Sequence, residues 1–180
     1  APLGEEKELN NLKVDGSIPT ELDGIYVRTG PNPKDGKGSH WFLGDGMVHG
    51  IRLKKGKAEW YRNRFVQTPD ITEPLTDPMA GLGDLRRGKG NTHVVAHNEQ
   101  IMCLEEAHWP WTINADLETT GVLNYEGKLD CSMTAHPKVC PITGELLAFS
   151  YFSFEQPYLK YIRVSADGKL QQVEGIELPE

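Results

Sequence analysis

Residues 113–123 read INADLETTGVL, and residues 164–178 read VSADGKLQQVEGIEL. Each is a short apolar strand, a turn built on an aspartate, and a second strand. Asp116 and Asp167 lie 51 residues apart, and the stretches QIMCLEE from Gln100 and ELLAFSY from Glu145 lie 45 apart. A period of 45 to 51 residues with three or four short strands per unit is the pattern of a β-propeller. On pattern alone a plain β-sandwich is the alternative.

Working outward, the same alternation recurs along the chain. Gly24–Arg28 (GIYVR) reads as a strand entering a core. Two further strands are expected around His40–Leu43 and Met47–Leu53, with Gly44-Asp45-Gly46 between them. A strand over Ala58–Val66 completes a hairpin in HGIRLKKGKAEWYRNRFV. Asn91–Glu106 reads as a second hairpin turning at Asn98-Glu99. Beyond residue 140, ITGELLAFSYFSF, YLKYIRVSADGKL and QQVEGIEL each contain a strand. The stretch 29–38 is a loop, and 67–90 is the least regular part, with three prolines and four glycines. Its GLGDLR segment lacks the third glycine and the apolar helix that a nucleotide loop needs. Ala1–Lys13 is polar and acidic, an expected surface arm. The class is all-β, with helix nearly absent.

With 180 residues the chain can hold one domain with a core of its own, and its 19 glycines and 12 prolines belong to turns. A net charge of −7 leaves no basic stripe for nucleic acid and no attraction to anionic lipid. Cys103, Cys131 and Cys140 include no CxxC pair, which speaks against a zinc site, and fit reduced thiols of a cytoplasmic protein. No apolar run reaches transmembrane length, and the N-terminal stretch lacks the apolar core of a signal peptide.

The chemistry-bearing stretch is CSMTAHPKV, Cys131–Val139. A residue before proline is held in extended backbone, so His136 sits on extended chain among small neighbours. That suits a metal ligand at the rim of a cavity, and it equally suits a buried histidine bonded to a carbonyl. His93 and His97 would share one face on a helix. Val94 and Val95 favour strand, however, which separates the two rings by roughly 13 Å and excludes a shared metal.

Four stretches, GIYVRTGPNP from Gly24, HWFLGDGMVHGIRL from His40, NTHVVAHNEQIMCLEE with the following WPW from Asn91, and TAHPKVCPITGELLAFSY from Thr134, together resemble the carotenoid cleavage oxygenase family. The resemblance implies part of a seven-bladed propeller, about three to four blades spanning 1–180, with the remaining blades expected beyond residue 180. It implies a non-haem Fe(II) held by four histidines, three of them backed by glutamates. The family's His-Pro motif falls on His136, the one implied ligand here. The pattern of Leu104, Glu105, Glu106 and Pro110 selects Glu106 as a supporting carboxylate, and a shift of one residue would select Glu105. Thr92, fourteen residues before Glu106, matches a threonine beside iron's open position.

The activity so implied is cleavage of a carbon–carbon double bond of an apolar polyene, a carotenoid or apocarotenoid, by O2. Trp109, Trp111, Phe149, Tyr151, Phe152 and Phe154 could line the substrate tunnel or form ordinary core. Stilbene-cleaving members carry lysine where this chain has Glu105, which favours the carotenoid reading over the stilbene one. A non-catalytic propeller serving as a binding module is the further alternative. Peripheral membrane contact and oligomeric state are left open. With one of four ligands, these 180 residues made alone are expected to aggregate or to hold no stoichiometric iron. A soluble, monomeric and iron-replete preparation, judged by light scattering and metal analysis, would overturn that expectation.

Overall fold

The computed structural model describes residues 2–37, 40 and 42–179. They form three four-stranded antiparallel sheets. In the first, β1 (Lys7–Asn10), β2 (Asp23–Pro31), β3 (Gly46–Lys54) and β4 (Lys57–Phe65) lie in the order β1-β4-β3-β2. The second runs in sequence order through β5 (His93–His97), β6 (Gln100–Leu104), β7 (Trp111–Ile113) and β8 (Thr119–Val122). The third does the same with β9 (Lys138–Val139), β10 (Leu146–Ser150), β11 (Leu159–Val164) and β12 (Leu170–Ile176). These are three blades of a β-propeller.

The internal repeat is one blade step. Asp116 lies in the β7–β8 turn and Asp167 in the matching β11–β12 turn, while QIMCL and LLAFS are the second strands of consecutive sheets. The two expected hairpins form with two-residue turns. Lys55 and Gly56 have φ of 47° and 77°, and Asn98 and Glu99 have 45° and 62°. Positive φ at both central positions matches the right-handed twist of the flanking strands.

The middle sheet is covered on both faces. From β6, Met102 and Leu104 pack with Leu146, Ala148 and Ile162 of the third sheet. Cys103, on the opposite face, packs with Val48 and Val66 from the first sheet's side. Successive residues of a strand point to opposite faces, so a doubly covered strand reads as the unbroken apolar run IMCL. Polar staples join the second and third sheets. His97 Nε2 donates to the Gly144 carbonyl at 2.9 Å, and Asn98 Nδ2 donates to the Asp167 carbonyl at 2.9 Å.

Three expectations need correction. The N-terminal arm lies on the surface, but its Lys7–Asn10 part is a strand paired with β4. The fully buried Asn63 amide accepts from Lys7 N at 2.8 Å and donates to the Glu5 carbonyl at 3.0 Å. Both faces of this edge strand are solvated, so no alternation marks it. No strand forms at His40–Leu43, of which Trp41 lies outside the described residues. The Asn91 amide instead binds the Phe42 and Gly44 carbonyls, at 2.9 and 2.7 Å, and holds this stretch as a turn. The strand expected over 142–154 is confined to Leu146–Ser150, because β11 pairs only that far. The irregular 67–90 stretch contains α1 (Pro69–Thr72) and two 3-10 turns, Pro78–Gly81 and Leu85–Arg87. No helix among the described residues is long and apolar enough to cross a membrane.

The three cysteines are unpaired, as their number and spacing led us to expect. Burial pushes the Cys103 thiol up to about 12 and raises that of Cys131. Hydrogen bonds from Thr143 lower that of Cys140. Thiolate is the reacting form, so iodoacetamide at pH 8 should modify Cys140 first. Mass mapping should find Cys103 and Cys131 modified only after denaturant is added.

Candidate metal centre

His136 stands out by exposure. Residues 131–135 are buried and so is Pro137, whereas the His136 side chain between them is 60% exposed. The segment is fixed along its length. Met133 N donates to the His108 carbonyl at 3.1 Å, and Thr134 N donates to the Phe149 carbonyl at 2.8 Å. The Ser132 and Ser150 hydroxyls, both buried, bond at 2.7 Å. This anchoring, with the extended backbone that Pro137 imposes, projects the imidazole outward just before β9 begins.

Glu106, two residues past the end of β6, reaches across from the second sheet. Its Oε2 accepts from Thr134 Oγ1 at 3.0 Å and from Ala135 N at 3.1 Å. Its Oε1 lies 3.2 Å from His136 Nε2. Thr134 Oγ1 in turn accepts from His136 N at 3.1 Å. The carboxylate therefore lies beside the ring and holds its backbone through the Thr134 hydroxyl. A carboxylate can only accept, so a proton on the ring nitrogen nearest it would leave the other nitrogen's lone pair free, the tautomer a metal ligand requires.

Glu105 turns the other way. Its Oε1 accepts from Ala107 N at 3.0 Å and from His108 Nδ1 at 2.5 Å. Glu105 and His108 line a cleft of about 970 Å³ whose apolar wall includes Leu75, Leu82, Phe152 and Phe154. His136 and Glu106 are not among the cleft residues. The two adjacent glutamates thus serve different places, and only Glu106 meets His136.

Tyr151 also belongs to this neighbourhood. Burial, then the charge of Glu106 and a hydrogen bond to it, raise its phenol above the ordinary value. Among the other aromatic candidates, Phe152 and Phe154 line the cleft. Trp111 is buried in the core on the first sheet's side, and Trp109 packs against the core shared with the third sheet. Thr92 is exposed, and its hydroxyl donates to Asn91 Oδ1 at 3.0 Å. His93 and His97 lie on strand β5, and one nitrogen of each ring binds a separate carbonyl, of Ala135 and Gly144. The His93 ring does lie over that of His136, with centroids 5.9 Å apart and planes at 26°. No local pattern signals that proximity, because it joins β5 to the segment that leads into the next sheet. Among the described residues no three His, Cys, Asp or Glu side chains converge as a complete metal site. The residues present fit one imidazole ligand with its supporting carboxylate.

Three propeller blades, with an exposed imidazole backed by a carboxylate where the first strands of two of them meet, define a propeller protein with a polar centre between blades. The sequence profile described as retinal pigment epithelial membrane protein matches residues 1–180. The chain belongs to this family, that of the carotenoid cleavage oxygenases. It is 39% identical to a carotenoid cleavage oxygenase of Mycobacterium tuberculosis, over 99% of this chain and 37% of that protein. It is 36% identical to carotenoid 9,10(9',10')-cleavage dioxygenase 1 of Arabidopsis thaliana, over 100% of this chain and 40% of that one. The crystal structure of Pseudomonas brassicacearum lignostilbene dioxygenase superposes with a TM-score of 0.81 at 32% identity, covering 96% of this chain and 40% of that one. The chain thus spans about two fifths of the length of these relatives.

The contacts of Glu106 have a measurable consequence. Glu106→Ala leaves Ala135 N and the Thr134 hydroxyl without their acceptor, a loss worth about 1–3 kcal/mol. Urea unfolding of the protein expressed from its complete reading frame should show it. Thr134→Val should cost less, and the double variant should fall short of the sum by about 1 kcal/mol.

Proposed function

We propose that this chain supplies one ligand and its support to the iron centre of a dioxygenase that cleaves a carbon–carbon double bond of a carotenoid or apocarotenoid. The observation that carries the reading is the exposed His136 imidazole, with Glu106 3.2 Å from its ring and on its backbone. A propeller used only for binding has no need of such an arrangement. Family membership supports an oxygenase in general, and an imidazole donor is compatible with Fe(II), as it is with other first-row metal ions.

Bound Fe(II) would bring O2 to the alkene. In the overall reaction the C=C and O=O bonds break and two C=O bonds form, so no external reductant is consumed. The chain's own residues orient and exclude. His136 presents a lone pair in a fixed direction. Glu106 keeps the ring proton away from the open side and raises the ring's basicity. Thr92, at the start of β5, is the residue we assign to crowding one side of the open position.

Glu105 bears on the substrate. Its carboxylate lines the cleft beside His108 and would meet a phenolate with like charge. This favours a carotenoid or apocarotenoid. A stilbene-cleaving enzyme is the second reading, favoured by the likeness to lignostilbene dioxygenase.

The test is metal analysis of the protein expressed from its complete reading frame, with and without His136→Ala. About one iron per chain, lost in the variant, is the expected result, followed by cleavage of apocarotenoids ahead of resveratrol in a product assay. Iron absent from the parent, or retained by the variant, would leave a propeller without this centre and turn the search to binding partners.

A further inference from the structure

We propose that His93 is a positioning residue for His136, setting how firmly that imidazole is presented to a metal. This rests on the proposed iron centre. Two contacts carry it. His93 Nδ1 lies 2.8 Å from the Ala135 carbonyl, and the two rings lie in an offset stack with centroids 5.9 Å apart and planes at 26°.

A carbonyl oxygen only accepts, so His93 Nδ1 carries the proton in this bond. The Ala135 peptide groups are then held on both sides. Glu106 binds the Ala135 N–H at 3.1 Å, and His93 binds the Ala135 carbonyl, which leads into His136. Both clamps come from the second sheet, while His136 belongs to the segment entering the third. Pro137 restricts the backbone on the far side. With the chain fixed before and after it, His136 retains little freedom beyond rotation of its ring, and the His93 face limits that rotation. A ligand held in place before the metal arrives loses less entropy on binding.

His93 positions and does not ligate. Two imidazoles on one ion aim their lone pairs at a common point about 2.1 Å from each. Rings stacked with planes at 26° aim theirs side by side.

The experiment compares His93→Gln, His93→Phe and His136→Ala in the protein expressed from its complete reading frame. Gln can still donate to the Ala135 carbonyl but cannot stack, and Phe can stack but cannot donate. The readouts are iron dissociation during a chelator chase, the visible spectrum of the cobalt(II)-substituted protein, and the unfolding midpoint. Both His93 variants should release iron faster, within the range of about ten- to a hundredfold typical of groups that orient a metal ligand. The cobalt spectrum should keep its ligand number, and the rate change should exceed what any shift in midpoint predicts. Wild-type dissociation in both His93 variants, with iron lost in His136→Ala, would overturn this inference alone. A cobalt spectrum that loses a nitrogen ligand in the His93 variants would also overturn it, by making His93 a ligand. Iron retained in His136→Ala would instead overturn the centre on which the inference rests.

Discussion

The Glu106 carboxylate bridges two sheets and fixes a segment that presents an accessible imidazole between them. One oxygen takes the Thr134 hydroxyl and the Ala135 N–H, and the other faces the His136 ring. Hydrogen bonds to an ionised acceptor are the stronger kind. Here they act on a stretch without regular secondary structure, where no ladder would otherwise hold the backbone. The site's geometry therefore depends on one side chain at the end of β6.

That side chain is placed by burial. Met102 and Leu104 are drawn toward the third sheet and Cys103 toward the first. With three consecutive β6 residues committed to opposite cores, the strand cannot slip by one position without reversing every face. The register carries past Leu104, so Glu105 and Glu106 leave the strand on opposite sides. Glu105 meets His108 in the cleft, and Glu106 meets His136. Two identical residues acquire different surroundings from packing alone.

Much of the fold was legible in the sequence because it is local. The hairpin turns at Lys55-Gly56 and Asn98-Glu99, the repeat marked by Asp116 and Asp167, and the strand nature of His93–His97 all follow from patterns within a few residues. The edge strand Lys7–Asn10 was not legible, since its partner lies more than fifty residues away and neither of its faces is buried. The turn at 42–44 was hidden for a like reason, as its backbone is satisfied by Asn91 rather than by a neighbouring strand. For the site, the family resemblance pointed to His136 and Glu106 separately, and the fold brings them within 3.2 Å of each other. The stack of His93 on His136 had no signal, because β5 and the segment before β9 meet only through the packing of two sheets.

The approach of a carboxylate from the neighbouring sheet to His136 is the observation that ordinary packing does not account for. His97 shows the structural alternative, a buried ring with its nitrogen on a carbonyl. His136 instead has one ring nitrogen 3.2 Å from a carboxylate oxygen. An exposed ring ordinarily samples several rotamers. Here the carboxylate from the end of β6 and the imidazole of β5 oppose that freedom, and both come from the adjacent sheet. The position of the ring is therefore tied to how two blades sit against each other. Anything that loosens the packing of Leu104 against Leu146 would also loosen the ring, so the core between these sheets and the imidazole centre form one cooperative unit.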